Sequence, residues 1–561
     1  MPRHRHFNPA QLQSTLFKHT PQGIVDMIDL AELIAGLSDP AAYPNGARNI
    51  EIRQTHISVV FLVDDFVYKV KKPVDYGFLD FGTLEKRRFY CAEEVRLNRR
   101  LAPNVYLGVV PIARCDDQLC IESDGEPMEW AVKMRRLPDD ATLQYRLQHE
   151  DVSCEIMREL GRRIASFHAG AERGPHVDKF GKFDVVAGNA RENFEQSSQQ
   201  VGSTVSQTVF ARIETLTEEA LADHRLMIQA RAERGVTRDT HGDLRLGHVY
   251  VFPDRSPPDN LIVIDCIEFA ERFRFADPIS DATFLIVGLH LQGQRGLARE
   301  FLDAYIQTSG DEEGRMLVPF YTAYRAVVRG KVEGLKLSRP EMSDTDRSTA
   351  MLKSRASWLL ALDELESPQR RPCLLLVIGL PGTGKSTLAR ELATQAKFEV
   401  IRSDVVRKNL WLERSACDHT STVSQGHTAP EEMYSAEWNQ RTYDECLQRA
   451  EQMLFDGKRV IVDANFRVDA DRVRFLDAAQ RMGVRGLVLT CEADAEVVRE
   501  RLSKRRGDAS DADWSVYLKA VASWESFSTK VQAASHNVDT SGSTPEALSV
   551  ALEALEQHDV V

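Results

Sequence analysis

Nowhere does this 561-residue chain hold the ~20 consecutive apolar residues that a helix needs to span a bilayer. Its apolar runs, such as SVVFLV and CLLLVIGL, are only strand-length. The opening stretch MPRHRHFNPAQLQSTLFKHT is basic but lacks the apolar centre of a secretory signal. Cysteine is sparse and unpatterned: nine residues, an odd number, with no CxxC pair. That excludes a disulfide framework and points to reduced thiols. Cys115 with Cys120, and Cys417 with His419, come nearest to ligand pairs, yet no second pair stands at zinc spacing, so a zinc site is not expected. A surplus of positive charge is missing as well. The formal net charge of −13 argues against a broad phosphate-gripping surface, so nucleic acid is not the favoured partner, although a local basic groove is left open. These absences lead us to expect a soluble cytoplasmic protein with no membrane partner.

The length suggests roughly three or four units of ~150 residues. No internal repeat stands out. The segment DELESPQRRP mixes charge with two prolines between a helix-like and a strand-like stretch, and reads as a linker over 363–371. Before it, strand signals come early (SVVFLVDDFVYKVKKP) and helical periodicity dominates later (EIMRELGRRIASFHAG), an α+β arrangement. After it, apolar strands alternate with helices, which calls for a parallel α/β sheet with helices on both faces. The expected organisation is a helical extension over 1–44, a first domain over 45–362, the linker, and a second domain over 372–561.

The second domain opens with GLPGTGKS, Gly379 to Ser386, which satisfies GxxxxGK[ST] between an apolar strand and a good helix former. Gly379, Gly382 and Gly384 allow backbone angles that point N–H groups at phosphate oxygens, in a nest running to Thr387. The helix that follows adds its positive end. Lys385 supplies a mobile charge for the β and γ phosphates, and the Ser386 hydroxyl can bind magnesium. Asp404, just past a second strand, is placed to orient and deprotonate an acceptor hydroxyl. Arg407, three residues on, suits an anionic group on the substrate. Asp463 ends the strand RVIVDAN as a magnesium carboxylate. Arg501, Lys504, Arg505 and Arg506 cluster before an acidic turn, where they can close over ATP as a lid.

From about 372 to 545 the chain resembles the P-loop kinase group that includes zeta toxins, gluconate kinases, chloramphenicol phosphotransferase and the kinase half of polynucleotide kinases. The resemblance rests on the Walker A loop, the SDxxRK segment, the VIVDAN strand and the RLxxRxxDxSDA lid. It implies that Lys385 and Ser386 bind nucleotide and metal, that Asp404 is the base and that Arg407 meets the substrate. It also implies that Arg505 or Arg506 is the lid arginine. ERSACDHTSTVSQGHTAPEEMYSAEW, with Tyr434, would be a substrate-side insertion.

In the first domain four landmarks line up: the strand FVYKVKKPV, with Lys69 and Lys71 on one face by the period-two rule; the helical FYCAEEVRLNRRL, with Glu94; HGDLRLGHVY, with Asp243; and NLIVIDCIEF, with Asp265. ADPISDATFL follows, with Asp277 and Asp281. From about 45 to 345 the chain resembles the aminoglycoside phosphotransferase family, which has a protein-kinase-like fold. The resemblance implies that one of the two lysines reaches the ATP phosphates and pairs with Glu94, that Asp243 is the base and that Asp265 binds magnesium. EWAVKMRRL would be the hinge strand that meets adenine. Two departures matter. No glycine-rich loop surrounds RQTHISVV, which leaves Thr55, His56 or Ser58 to meet phosphate. His248 stands where a metal-binding Asn is expected; imidazole suits manganese, zinc or iron better than magnesium. Either His248 alters the metal site, or it hydrogen-bonds to Asp243 or a phosphate while Asp265 alone holds a metal.

Three readings of the whole follow. The first is an ATP- and magnesium-dependent phosphotransferase with two kinase-type domains acting on small-molecule hydroxyls. The second is a single P-loop kinase acting on a nucleic-acid end, aided by Trp411, Arg414 and Trp438, with the front domain regulatory. The third is a non-enzymatic ATP-dependent switch, which would have no use for Asp404.

Overall fold

The computed structural model describes residues 28–77, 79–339, 342–417, 431–505, 510 and 512–561. The chain forms two compact units. One gathers the residues up to Asn189 with His224–Gly288 and Arg295–Val318; the other gathers Ala190–Asp223, Leu289–Gln294 and Pro319–Val561.

The first unit is built on six strands: β1 (Ile50–Gln54), β2 (Ser58–Val63), β3 (Phe66–Lys71), β4 (Tyr106–Cys115), β5 (Gln118–Ile121) and β6 (Glu129–Arg135). They pair antiparallel in the order β1-β2-β3-β6-β4-β5. Alternation sorts their side chains. Val59, Phe61, Val70 and Tyr68 bury with Leu33 and Leu37 of the helix Leu30–Leu37. Val132 and Met134 bury with Cys91 and Val95 of the helix Leu84–Asn98. That second helix is capped by the Thr83 side chain and carries polar residues, Arg87, Glu94 and Asn98, into the interior. Such burial is tolerated only with partners, and Arg87 finds Glu129 at 2.8 Å. Two small ladders follow. β7 (Arg238–Asp239) pairs with β10 (Phe275–Ala276), and β8 (Val249–Val251) with β9 (Leu261–Val263); these bracket the HGD loop and the Asp265 turn.

The second unit holds a five-stranded parallel sheet in the order β12-β13-β11-β14-β15: β11 (Cys373–Ile378), β12 (Glu399–Arg402), β13 (Val460–Asp463), β14 (Arg485–Glu492) and β15 (Ser535–Asp539). Every residue of β11 is buried, as a central parallel strand covered by helices requires. Helices Lys385–Ala396 and Thr544–Glu556 share its core.

The compact units are cut differently from the domain boundaries expected from sequence. Residues 190–223 and 319–362 pack in the second unit, where Phe194 and Phe210 lie 6.5 and 5.7 Å from the fully buried Trp358 ring. The stretch 363–371 is the end of the helix Asp344–Leu365 and a short turn, Pro368–Arg370. It is pinned by Asp363 to Arg485 at 3.1 Å and by Glu366 to Arg212 at 2.7 Å. A helix's apolar face states that it needs a partner, not which partner. Most of the expected extension over 1–44, His419, Arg506 and the core of the substrate-side insertion lie outside the described residues.

Candidate functional site

Parallel register gathers the rear site at the carboxyl edge of the sheet, where ligands of open α/β sheets bind. Val377 and Arg402 both stand opposite Asp463. The loop from Gly379 therefore leaves β11, and Asp404 leaves β12, beside that carboxylate. Gly379 has φ +140°, and a Cβ there would lie 2.4 Å from the Cys491 carbonyl oxygen, so no other residue fits without moving backbone. Gly382 has φ +85°, and its Cβ would press on Val498 at 2.9 Å. Gly384, with φ +88°, caps the helix Lys385–Ala396 and accepts from the Thr387 N–H at 3.0 Å.

Lys385 is buried, and its ammonium donates to the Leu380 carbonyl at 2.8 Å. Burial pushes its pKa down, against the attraction of Asp463 and Asp404. Ser386 hydrogen-bonds to Asp463 and receives Arg402 Nη2 at 3.4 Å. Burial raises the Asp463 carboxyl, while Lys385, Ser386 and Arg402 oppose that rise. Asp404 is close enough for its charge to act on both Lys385 and Asp463, and the Arg505 charge reaches Lys385. The hydroxyl of Ser386 and the carboxylate of Asp463 fit a magnesium ion, which takes few protein oxygens and completes its shell with water and phosphate.

Arg407 and Tyr434 come together as well, the guanidinium 5.3 Å from the ring centre. Arg407 is buried and holds the Met433 carbonyl at 3.1 Å and Asn439 Oδ1 at 2.7 Å; Tyr434 is exposed. One member of the rear site escaped sequence reasoning. The Thr540 hydroxyl donates to the backbone at the phosphate loop, where it bonds the Thr383 carbonyl, and the Thr540 carbonyl accepts from Arg501 Nη2 at 2.6 Å. Nothing in local spacing marks a threonine more than 150 residues beyond the loop that it braces.

In the front unit the HGD loop hangs on one buried carboxylate. Asp281 accepts from the Gly242 N–H at 2.8 Å and the His241 N–H at 3.1 Å, and faces His168 Nε2 at 3.1 Å. His241 donates from Nε2 to the Ile264 carbonyl at 3.0 Å and accepts the Asp243 N–H at Nδ1, 3.3 Å. The ring is thus neutral, and burial pushes its pKa down to about 4.

Both candidate lysines reach Glu94: Lys69 Nζ at 2.8 Å and Lys71 Nζ at 2.7 Å. Lys69 also pairs with Asp265 at 2.8 Å, and Lys71 with Glu268, which makes a chain of alternating charge that is buried from Lys71 to Glu94 and opens to solvent at Asp265. Burial works against the Glu94 charge, yet the two ammonium groups hold its pKa below the ordinary carboxylate range. Asp265 is lowered in the same way by Lys69 and His248, while burial raises Glu268 against the pull of Lys71. Glu268 was not picked out from sequence, although its place three residues after Asp265 was the available signal.

His248 points inward. Its Nδ1 donates to the Asp243 carbonyl at 2.9 Å, and its Nε2 stands 3.4 Å from Asp265 Oδ2 and 3.1 Å from Arg245 Nη2. The Asp243 carboxylate pairs with Arg245 at 2.6 Å. Among the described residues no group of three or more His, Cys, Asp or Glu is arranged to hold a metal. As placed, Asp243, His248 and Asp265 do not make such a group: Lys69 takes Asp265 Oδ1 and Arg245 takes Asp243 Oδ2. The turn before β2 works without glycine: the Thr55 hydroxyl accepts the Ser58 N–H at 3.0 Å.

Residues 374–526 match the family described as AAA domain. Among solved structures, the chain is similar to a choline/ethanolamine kinase family protein from Mesorhizobium loti. That match has 13% identity and covers 60% of this chain and 95% of that one, with a TM-score of 0.37. It is also similar to a gluconokinase from Sinorhizobium meliloti 1021, at 15% identity over 34% of this chain and 93% of that one, with a TM-score of 0.25. Among the described residues no helix is long and apolar enough to cross a membrane. The Mycobacterium tuberculosis protein named Uncharacterized protein Rv2004c is 31% identical over 495 residues, 88% of this chain and 93% of that protein, and Mb2027c of Mycobacterium bovis matches to the same extent. The chain belongs to the family of these mycobacterial proteins, and within it carries an AAA domain built round a phosphate-binding loop.

Proposed function

We propose that the chain is an ATP-dependent phosphotransferase with two kinase-type sites, each passing the γ-phosphoryl group of ATP to a hydroxyl of a small molecule. The observation that carries this reading is the rear cluster: Lys385, Ser386, Asp463 and Asp404 converge on one phosphate cradle. A pure switch has no use for an acceptor base there. Magnesium bound with ATP would neutralise phosphate charge, with Ser386 and Asp463 as the residues to hold it. The remaining work falls to the chain's own groups. The glycine loop grips the phosphates through backbone N–H groups. Lys385 exchanges the Leu380 carbonyl for phosphate oxygens. Asp404 orients the acceptor hydroxyl and takes its proton. Arg505 sets positive charge over the group in transit, and Arg407 and Tyr434 border the acceptor.

In the front unit, read as protein-kinase-like, Lys69 is the phosphate lysine, Glu94 its anchor and Asp243 the base. A specific observation favours a second reading of this unit alone, as a nucleotide-sensing module: its Asp243, His248 and Asp265 do not make a metal group. The test is to incubate the full chain with labelled ATP and a fractionated metabolite pool, beside the Lys385→Ala and Asp243→Ala variants. Lys385→Ala is expected to remove one set of labelled products and Asp243→Ala another. A Lys385→Ala protein that labels everything wild type labels would sink the rear assignment. An Asp243→Ala protein with unchanged products would leave the front unit as a sensor.

A further inference from the structure

The front unit contains a second concave site, which takes in Arg135, Arg136 and Leu137 at the end of the segment read from sequence as the adenine hinge but none of the charged groups of the front cluster. It is a cavity of about 610 Å³ at the far end of β6, between the segment that leads into β4 and the connection from β8 to β9. That volume suits a small organic ligand. None of Lys69, Asp243, His248 or Asp265 lines it. Four arginines do, Arg99, Arg135, Arg136 and Arg255, with Asp259 as the one acidic residue of the wall; Arg135 and Arg255 are exposed to solvent.

Their partners decide how much of that charge is spoken for. Arg99 Nε donates to the Tyr106 carbonyl at 2.9 Å, and Arg136 pairs with Glu51 at 3.2 Å. Arg255 lies over the Phe252 ring at 3.7 Å, a contact that fixes its plane without neutralising it. Asp259 accepts from Asn104 at 3.2 Å. Arg135 and Arg255 form no ion pair among the described residues. Two arginines without an ion pair on the wall of one cavity, within a chain of net charge −13, are a local reversal of sign. Each offers a planar fork of donors matched to phosphate oxygens. The rest of the wall is apolar, with Pro103, Leu137 and Ile262.

We infer that this cavity binds a phosphomonoester, with its phosphate on Arg135 and Arg255 and its organic part against Leu137 and Ile262. The site is also wired to the front cluster. Tyr106 forms part of the wall, and its hydroxyl accepts from the Asp265 N–H at 3.2 Å. Arg99, another wall residue, holds the same tyrosine by its carbonyl. The Arg135 N–H donates to the Val105 carbonyl at 2.9 Å, which ties the end of β6 to that wall. An occupant that draws on Arg99 and Arg135 therefore acts on the Asp265 turn through Tyr106. The inference stands whether or not the front unit transfers phosphate.

The experiment titrates the full chain with phenyl phosphate, and with phenol and inorganic phosphate as comparators, by calorimetry and hydrogen exchange. Wild type is expected to bind phenyl phosphate, at least tenfold more tightly than phenol. The double variant Arg135→Ala/Arg255→Ala should lose tenfold or more in affinity, and Arg135→Lys/Arg255→Lys should recover part of it. Protection should fall on 99–107 and 135–137 and extend to 264–266, with the last lost in Tyr106→Phe. No binding by wild type, equal binding by the alanine variant, or protection confined to 379–387 would each overturn the inference.

Discussion

Acidification should loosen the HGD loop through one imidazole. His241 is buried with its Nδ1 committed as an acceptor and its Nε2 as a donor, so the protonated ring has no place in the folded loop. Its pKa falls from 6.5 to about 4 on folding. A lowered histidine pKa means that the open loop binds more protons than the closed one between those values. The stabilisation is therefore complete above about pH 6.5, and is lost as pH falls towards 4. The full difference is about 3.4 kcal/mol, taking ~1.36 kcal/mol per unit. Linkage gives about 2 kcal/mol lost between pH 7 and pH 5, roughly a 30-fold rise in loop opening. Hydrogen exchange of residues 241–243, corrected for intrinsic rates, reads that opening directly. A His241→Gln variant, which cannot titrate, supplies the baseline. Carbon-labelled histidine NMR should place the His241 midpoint near 4. A midpoint above 6, or the same pH slope of exchange in both proteins, would refute the reasoning.

Three further outcomes are expected. Gly379→Ala must find room against the Cys491 carbonyl at a backbone angle that other residues avoid. Adding strain of ~1–3 kcal/mol to overpacking of ~1–3 kcal/mol, it should lower stability by about 2–6 kcal/mol in urea unfolding and abolish stabilisation by ATP. An unchanged unfolding midpoint would contradict the geometry. Lys71→Met leaves Glu268 without its ammonium partner, at a cost of about 3–5 kcal/mol for a broken buried pair. Lys71 holds down a Glu268 pKa that burial raises, so without it that carboxyl rises further and the variant's deficit should grow as pH rises from 5 to 8; a deficit that is flat with pH would count against the pairing. His248→Asn offers an oxygen ligand in place of an imidazole beside Asp265. Magnesium with an ATP analogue should then stabilise the front unit more than in wild type, tested in a Lys385→Ala background by thermal unfolding; equal shifts would show that His248 does not limit metal binding.

Much of the rear site was legible because its chemistry is contiguous. A strand, a glycine loop and a helix follow one another without a break from Cys373 to Ala396, so spacing alone predicts where Lys385 and Ser386 fall. The period-two rule placed Lys69 and Lys71 on one face, and both do meet Glu94. Less could be read where the partner lies far along the chain. Arg407 was read as a substrate residue, and the fold also gives it the Met433 carbonyl to hold. Thr540 and Tyr106 carried no mark in their neighbourhoods, and Glu268 carried only its place three residues after Asp265.

The sequence by itself determined the kinds of structure, because alternation and helical periodicity are local consequences of which face must be buried. It determined the phosphate cradle too, since the backbone angles of Gly379, Gly382 and Gly384 are a property of those residues. Only the tertiary structure decided that one lysine would bridge Glu94 to Asp265 and the other to Glu268, that His248 would turn in towards both aspartates, and that segments 190–223 and 319–362 would group with the rear unit. These outcomes depend on distance in space. A buried charge or an apolar face must find a partner, but its own sequence does not say which of several comes within reach.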